Sequence, residues 1–386
     1  MLAAENVAEE LASEGPCDLL LAFASGRHAE SLGEIAPMLR RETDAGVTLC
    51  VSGESVIAGA EEIEHPAALS AVALSLPGAR FTPFRYQDLH ARTDLNELDA
   101  ARHAIGASEN LRGTIFFGDP FSVPGTSVAT LLSDASRLDG EHRPVVGGMA
   151  SASTAPGGNL LVLNNQTMRA GGVGVSISGD VRMDTIVSQG CRPIGESHVI
   201  TSGERNLIRT LGGRKAMDVL RETIESVGRR ERELLENGLL IGRVVNEYRD
   251  RFGRGDFLIR GVMGLDPDAG VVAIGDSVRV GQTVQFHVRD EETASEDLSL
   301  LLDAEQVRGE ALGALLVSCN GRGTRLFNDP DHDASMLASR LVPAEGHERV
   351  PIAGLFAAGE IGPVGGPSFI HGHTASAAVF RANETG

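Results

Sequence analysis

Thr114-Ile115-Phe116-Phe117 is a short, largely apolar run, and Pro144-Val145-Val146-Gly147-Gly148 is a second one further along the chain. Between them, apolar residues recur at the spacing of one face of a helix. This stretch therefore predicts a strand, a helix and a second strand in succession. The apolar residues of the predicted helix are Val128, Leu131, Leu132, Ala135 and Leu138.

The same alternation of strands and helices continues on both sides of this stretch. Leu32, Ile35 and Leu39 mark a helix between two of the apolar runs. Together these patterns predict an α/β fold in which mixed β-sheets are flanked by helices. Strands are predicted at residues 17–24, 47–51, 69–76, 160–163, 173–177, 257–262, 271–274, 283–288, 314–318 and 352–357.

The longest helical pattern covers residues 213–243. Ala216, Leu220 and Ile224 share an apolar face, and charged residues fill the opposite one. Such a helix could connect two domains, although a surface helix within one domain fits equally well. We place the boundary near residue 210, which predicts an N-terminal domain at 1–210 and a C-terminal domain at 211–386.

A weak internal repeat relates the two halves of the chain. Phe116-Phe117 precedes Val145-Val146-Gly147-Gly148, and Leu315-Leu316-Val317 precedes Ala353-Gly354-Leu355 at an offset of about 200 residues. This pattern predicts two related halves, with a layered α-β-β-α sandwich as one arrangement of their sheets. Chance similarity between glycine-rich strand ends is the alternative.

Composition limits the classes of partner and the compartment. The 386 residues include 34 Lys+Arg and 53 Asp+Glu, a net charge of −19, which disfavours nucleic acid and anionic membrane surfaces as partners. The four cysteines include no CxxC pair, which favours a reducing cytoplasm. The sequence has no apolar run of the ~20 residues that a membrane span needs. The 47 glycines are an excess that a folded chain places in turns and in close backbone approaches.

Three glycine-rich clusters carry the residues with the most evident chemistry. They are residues 188–196, 318–323 and 358–374. Arg322, between two glycines, could bind a ligand carboxylate, and Arg192 could do the same, because a guanidinium pairs with carboxylates in bidentate fashion. Glu360 could accept from a ligand ammonium, so the set suits an amino acid. The competing interpretation is that Arg322 and Glu360 form a structural ion pair.

The thiols and histidines of these clusters allow other chemistry. Cys319 or Cys191 would be a nucleophile if His371 or His373 lay within hydrogen-bond reach, but a buried, inert thiol is the more common case. His371 and His373 would share a face of a strand and could bind a metal with a third ligand, yet a histidine pair that caps a last helix, beginning at Thr374, fits better. We expect neither a metal nor a cofactor, and we interpret residues 329–333 as a solvated acidic turn.

In these clusters and in two other short segments, the chain resembles the FIST family. The N-terminal FIST pattern is similar to Cys50-Val51-Ser52-Gly53-Glu54 and to Gly190-Cys191-Arg192-Pro193-Ile194-Gly195. The C-terminal FIST pattern is similar to Phe257-Leu258-Ile259-Arg260, to Cys319-Asn320-Gly321-Arg322-Gly323 and to Gly359-Glu360-Ile361-Gly362-Pro363. The resemblance implies a sensory module that binds small ligands such as amino acids, and it implies no established catalysis.

From these observations we expect a cytoplasmic signal-transduction module with a small-molecule ligand and, as a further expectation, a signalling protein partner. A thiol-dependent amidohydrolase and a protein-interaction scaffold are the alternatives, and no oligomeric state is predicted. The expected ligand-binding residues are Cys191, Arg192, Cys319, Asn320, Arg322, Gly323, Glu360, Gly365, Gly366, His371, His373 and Thr374.

Overall fold

The structure is a computed structural model that describes residues 2–12, 15–249 and 251–383. The chain divides into two compact units. Unit 1 comprises Met1–Val187, Ser299–Ile370 and Thr374–Gly386, and unit 2 comprises Ser188–Leu298 and His371–His373. The sequence-domain boundary expected near residue 210 stays a prediction.

The chain contains nine described α-helices among 26 described strands, with several long runs of consecutive strands. The helices are α1 Leu2–Ala12, α2 Arg27–Glu30, α3 Leu32–Glu42, α4 Glu97–Ala104, α5 Gly125–Ala135, α6 Ala216–Ser226, α7 Arg229–Leu235, α8 Glu291–Glu305 and α9 His332–Arg340. The strands are β1 Leu19–Ala24, β2 Val47–Ser52, β3 Val56–Ala58, β4 Glu61–Ile63, β5 Leu69–Leu74, β6 Ala79–Arg85, β7 Leu111–Gly118, β8 Arg137–Leu138, β9 Glu141–His142, β10 Val145–Met149, β11 Leu161–Leu163, β12 Gln166–Met168, β13 Gly172–Gly179, β14 Val181–Gln189, β15 Cys191–Glu204, β16 Leu207–Leu211, β17 Arg214–Lys215, β18 Leu239–Val244, β19 Phe257–Asp266, β20 Val271–Ile274, β21 Thr283–Arg289, β22 Gly313–Cys319, β23 Ile352–Ala357, β24 Glu360–Pro363, β25 Ser368–His371 and β26 Thr374–Ala382.

Unit 1 contains the same arrangement of strands three times. A central strand is followed by a helix and a parallel neighbour, and a later strand pairs antiparallel on its other side. These sets are β1, α3, β2 and β5; β7, α5, β10 and β13; and β22, α9, β23 and β26. In each set the parallel neighbour also pairs with an antiparallel strand on its far side, which is β11, β24 or β3. The predicted relation between the segments around Phe116 and Leu316 is confirmed in their strand pairing, and the sequence analysis missed the third copy.

A glycine is required at the same place in two of the three copies. Gly147 lies opposite Phe116, and Gly354 lies opposite Leu316. A Cβ atom would stand 1.9 Å from the Phe116 carbonyl oxygen at the first position and 1.8 Å from the Leu316 carbonyl oxygen at the second, so no larger residue fits. In the first copy, β2 (Val47–Ser52) contains no glycine.

The sheets of unit 1 pack on a shared apolar core. Alternate residues of each central strand enter it, namely Leu21 of β1, Ile115 of β7 and Val317 of β22. The other faces of β1 and β7 pack on helices, as Leu20 does beside α3 and Phe116 does beside α5. Because both faces are covered, these strands appear in the sequence as continuous apolar runs. The predicted α/β class with mixed sheets flanked by helices is confirmed.

Unit 2 is built on a closed ring of six antiparallel strands. The order is β15, β21, β18, β19, β20 and β16, and β16 pairs again with β15. Ile194, Phe286 and Val272 belong to its core, on which α6 packs through Leu220. Among the described residues, none of the helices is long and apolar enough to cross a bilayer.

Two helix predictions were wrong. Residues 213–243 form α6, α7 and β18 rather than one helix. The backbone adopts an extended conformation at Val227 and Gly228, which ends α6 before α7 begins. Thr374 begins β26 and not a last helix, since its alanine-rich run pairs with the central strand β22. Leu138, expected at a helix end, lies in β8.

Candidate functional site

The loop after β22 is held by a fully buried ion pair. Arg322 donates to Asp333 in bidentate geometry, with Nε 2.7 Å from Oδ2 and Nη2 2.7 Å from Oδ1, and neither side chain is exposed. The Arg322 guanidinium also lies 5.1 Å from the centre of the Phe327 ring. Asp333 is therefore the bidentate partner of the arginine that was expected to bind a ligand or Glu360.

Asp333 lies in the first turn of α9 and collects further hydrogen bonds. Ser318 Oγ donates to its Oδ2 at 2.8 Å, and His332 Nδ1 lies 2.9 Å from its Oδ1. Burial alone would raise the pKa of Asp333, but the charge of Arg322 and its hydrogen bonds hold that pKa well below its usual range. The expected solvated turn at 329–333 is wrong for Asp333, because Arg322 and Ser318 bind it in the interior.

A second acid, Glu62 of β4, reaches the same helix end. Its Oε1 accepts from the backbone N–H groups of Asp333 and Ala334 at 2.8 and 3.0 Å. Burial, followed by repulsion from Asp333, raises the pKa of Glu62 to about 8. The β3–β4 hairpin is thereby fastened to the start of α9.

Glu360 occupies a separate buried position beside Cys319. Its Oε2 accepts from the backbone N–H of Thr374 at 3.1 Å, while its Oε1 is buried and has no hydrogen-bond partner in the part of the chain that the structure describes. Burial raises the pKa of Glu360 to about 8, although hydrogen bonds from Thr374 and from the Cys319 thiol oppose the rise. The Gly321 N–H donates to Cys319 Sγ at 3.4 Å. The structure thus brings four predicted residues together, namely Cys319, Arg322, Glu360 and Thr374.

A cavity of about 80 Å³ opens at the outer side of this loop. Asn320 is one of the residues at this cavity, and within the described residues its Oδ1 is a buried acceptor without a hydrogen-bond partner. Arg325 Nη1 donates to Glu54 at 3.2 Å, in an ion pair whose side chains are 55% and 39% exposed. The residues that line the cavity are Glu54, Ser55, Glu64, His65, Asn320, Thr324, Arg325 and Phe356.

Gly323 closes the loop against the β3–β4 hairpin. Its φ is +58°, and a Cβ atom there would lie 2.6 Å from Glu64 Oε1. The bare backbone lets the Thr324 N–H and hydroxyl donate to the Glu64 carboxylate at 2.8 and 2.9 Å. Gly323 therefore shapes the cavity, as a glycine at positive φ can do without strain.

The remaining predicted residues lie elsewhere. Gly365 and Gly366 form an exposed turn of unit 1, with φ of +65° and +117°. Cys191 is buried in unit 2, and Arg192 there pairs with Asp290, from Nε to Oδ2 at 2.6 Å.

The two histidines also belong to unit 2. His371 ends β25, whereas His373 has φ +62° in the following turn, so the expected shared face of one strand is wrong. The His373 carbonyl accepts from the Gly190 N–H at 3.3 Å. Among the described residues, no group of three or more His, Cys, Asp or Glu is placed to hold a metal ion.

Sequence reasoning missed four residues of the site in unit 1. Asp333 and Glu62 are buried acids whose partners come from distant parts of the chain, and neither shows a local motif. Arg325 and Glu64 line the cavity, and Arg325 follows the glycine-rich cluster directly. The position of Arg325, two residues after Gly323, was the signal that could have placed it at the site.

Known proteins similar to this chain come from mycobacteria. An uncharacterized protein of Mycobacterium tuberculosis is 36% identical over 380 residues, which are 98% of this chain and 94% of the relative. An uncharacterized protein of Mycobacterium bovis is 36% identical over 381 residues with the same coverage.

Two domain families match consecutive parts of the chain. The FIST N domain matches residues 18–214, and the FIST C domain matches residues 216–363. FIST domains are associated with signal transduction and with the sensing of small ligands. Together these matches cover most of the sequence, and the chain belongs to the FIST family.

Proposed function

We propose that this protein is a cytoplasmic sensory module that binds an amino acid, or a similar small zwitterion, in the cavity beside the loop after β22. The observation that carries the proposal is Asn320, which lines the cavity and whose buried Oδ1 is an acceptor without a partner among the described residues. A buried acceptor left unpaired is costly, about 1–3 kcal/mol, and a ligand N–H group would satisfy it.

The energetics assign the carboxylate-binding role to Arg325 and not to Arg322. Separating a buried pair such as Arg322–Asp333 costs about 3–5 kcal/mol, because one charge is left in the interior without its partner. An exposed pair such as Arg325–Glu54 contributes only about 0–1 kcal/mol. A ligand carboxylate can therefore replace Glu54 on Arg325 at small cost, whereas Arg322 supports the loop from within.

The charges around the cavity suit the other end of a zwitterion. Glu64 is half-buried at the cavity and Glu54 stands at its rim, so both supply carboxylate oxygens for an ammonium group. The cavity of about 80 Å³ corresponds to a few water molecules at ~30 Å³ each. It accommodates an ammonium and carboxylate head, and the ligand side chain would extend into solvent. This arrangement predicts binding of several amino acids rather than of one.

The other predicted residues take supporting roles in this proposal. Gly323 keeps the loop close to Glu64, while Glu360 and Thr374 are buried next to the half-buried Cys319. Ligand contacts by Cys191, Arg192, Gly365, Gly366, His371 and His373 stay predictions. The four free cysteines support the proposed cytoplasmic location, because reducing compartments keep thiols unpaired.

Isothermal titration with glycine and with alanine tests the proposal. We expect saturable binding by the wild type, a loss of at least tenfold in affinity for Arg325→Gln, and a similar loss for Asn320→Ala. Arg92→Gln is the matched control, because Arg92 is also an exposed arginine paired with an acid, Asp94, and it does not line the cavity. Its affinity should equal that of the wild type.

Other results would contradict the proposal. Absence of binding at millimolar glycine and alanine would do so, as would unchanged affinity in Arg325→Gln. The alternatives from the sequence have their own signatures. A thiol-dependent amidohydrolase would release ammonia from glutamine in a manner that Cys319→Ser abolishes, and an interaction scaffold would bind neither amino acid.

A further inference from the structure

A second and larger cavity, of about 390 Å³, lies in unit 1 at one end of the sheet that contains β7, β13 and β6. It is lined by polar side chains and glycine backbone, including Arg80, Arg112, Ser178, Gly179 and Asp180. Its volume is in the ~300–1,000 Å³ range of small-molecule sites. Neither the family's motifs nor the proposed amino-acid site includes these residues.

The sheet brings two arginines to this cavity from the two neighbours of β13. Arg80 of β6 lies directly opposite Ser178 of β13. On the other side, Ile177 pairs with Gly113 and Ser178 pairs with Leu111, which leaves Arg112 as the extra residue of a β-bulge. Bulges redirect the side chain of the extra residue, and here Arg112 Nε donates to the Gly179 carbonyl at 2.9 Å.

Both guanidinium groups keep donors available. Within residues 2–12, 15–249 and 251–383, no carboxylate forms an ion pair with Arg80 or Arg112, and the Arg80 side chain makes no hydrogen bond. This is notable in a chain of net charge −19, in which acids outnumber bases. Two arginines and one acid, Asp180, line the cavity, and this local excess of positive charge attracts an anion.

Two backbone segments approach each other closely at this cavity. Gly179 has φ +98°, and a Cβ atom there would lie 2.3 Å from the Gly78 carbonyl oxygen, so this position must stay a glycine. Ser178 adds a hydroxyl beside it. Asp180 contributes a carboxylate whose Oδ1 accepts from Asn383 Nδ2 at 2.9 Å. This exposed carboxylate can also accept from a donor on a ligand, which suits a ligand with a hydroxyl group besides its anionic group.

We propose that this cavity binds the phosphate group of a small phosphorylated molecule that also carries hydroxyl groups. Arg80 and Arg112 hold the phosphate oxygens, since the planar guanidinium donates two parallel hydrogen bonds to phosphate. The Ser178 hydroxyl, which donates to the Arg80 carbonyl at a long 3.5 Å, turns to donate to a third phosphate oxygen, and Asp180 accepts from a ligand hydroxyl. The site is separate from the amino-acid cavity, so either proposal can fail without the other.

Titration with sn-glycerol 3-phosphate, followed by calorimetry at low salt, tests this inference. We expect saturable binding, no binding of glycerol, and at least tenfold weaker binding of malate, a dicarboxylate. Arg80→Gln should weaken glycerol 3-phosphate binding at least tenfold and leave the melting temperature unchanged, because the Arg80 side chain makes no hydrogen bond in the structure. Arg80→Lys should recover part of the affinity.

Arg27→Gln is the matched control, because Arg27 is exposed, belongs to unit 1 and lies outside this cavity. It should bind glycerol 3-phosphate as the wild type does. The inference is overturned if millimolar glycerol 3-phosphate gives no binding, if Arg80→Gln binds like the wild type, or if Arg27→Gln loses as much affinity as Arg80→Gln. Equal affinity for malate would overturn the assignment to phosphate.

Discussion

Replacement of Asp333 by asparagine should reveal how strongly the buried ion pair holds the loop after β22. The variant keeps the shape of the side chain but leaves Arg322 with a full positive charge, no exposure and no bidentate acid. Removing one partner of a buried pair costs about 3–5 kcal/mol. Since whole domains are stable by about 5–15 kcal/mol, we expect a large fraction of the stability of unit 1 to be lost.

Urea unfolding measures this loss directly. The chain contains no tryptophan, so far-UV circular dichroism is the suitable probe. In a thermal scan, the same loss corresponds to a decrease of about 6–20 °C in the melting temperature, at ~2–4 °C for each kcal/mol. Glu54→Gln is the control, because it breaks the exposed pair with Arg325 and should change the unfolding free energy by no more than about 1 kcal/mol.

The double variant Arg322→Met with Asp333→Leu separates a lone buried charge from a loss of packing. Replacing both partners of a buried pair by apolar residues of similar volume is often neutral or stabilising. We therefore expect the double variant to recover most of the stability that Asp333→Asn loses. A loss below about 1 kcal/mol in Asp333→Asn, or an equal loss in Glu54→Gln, would refute the assignment of Arg322 to the interior.

Two further predictions concern Glu360 and Gly354. Burial raises the pKa of Glu360 to about 8, above the ordinary ~4.3, so the folded chain binds a proton there more tightly than the unfolded chain does. The stability that Glu360 contributes is therefore lost as pH rises from about 4 to 8, by up to ~1.4 kcal/mol per pH unit. Glu360→Gln, neutral at every pH, should remove this part of the slope in urea titrations at pH 5 to 8 and leave the part that comes from Glu62, whose pKa is also about 8. A wild-type slope in the variant would contradict the burial of Glu360. Gly354→Ala places a Cβ atom 1.8 Å from the Leu316 carbonyl oxygen and should lower the melting temperature sharply, whereas Gly255→Ala, where nothing lies within 4 Å, should change it little. Equal melting temperatures would refute the close approach of β22 and β23.

The buried strands were predictable because of where they lie. β1, β7, β22 and β23 are covered on both faces, so each is a continuous apolar run that needs no neighbour to be recognised. β26 was mistaken for a helix because alanine favours helices locally, and only pairing with β22 makes it a strand. Local propensity was overruled by tertiary contacts there.

The repeated strand arrangement was only partly predictable for a related reason. Two copies share the glycine forced by a close backbone approach, Gly147 and Gly354, and that shared residue made the repeat visible. The first copy has no glycine in β2, so its β1 and β2 pair in the same way without the same signature. The shared topology is therefore recognisable from the sequence only where the backbone is too crowded for a side chain and a glycine is required.

The site shows the same division between local and distant information. Glycines around Arg322 correctly mark a tight loop, but they do not reveal whether the arginine points inward or outward. That direction is decided by Asp333, which reaches Arg322 from the start of α9, and by Glu62, which fastens the β3–β4 hairpin to the same helix end. Because the buried pair is costly to separate and the exposed Arg325–Glu54 pair is not, a ligand that exchanges partners with this loop must do so at Arg325. Arg322 and Arg325 lie three positions apart, and their different burial gives them different roles: Arg322 supports the loop and Arg325 is available to a ligand.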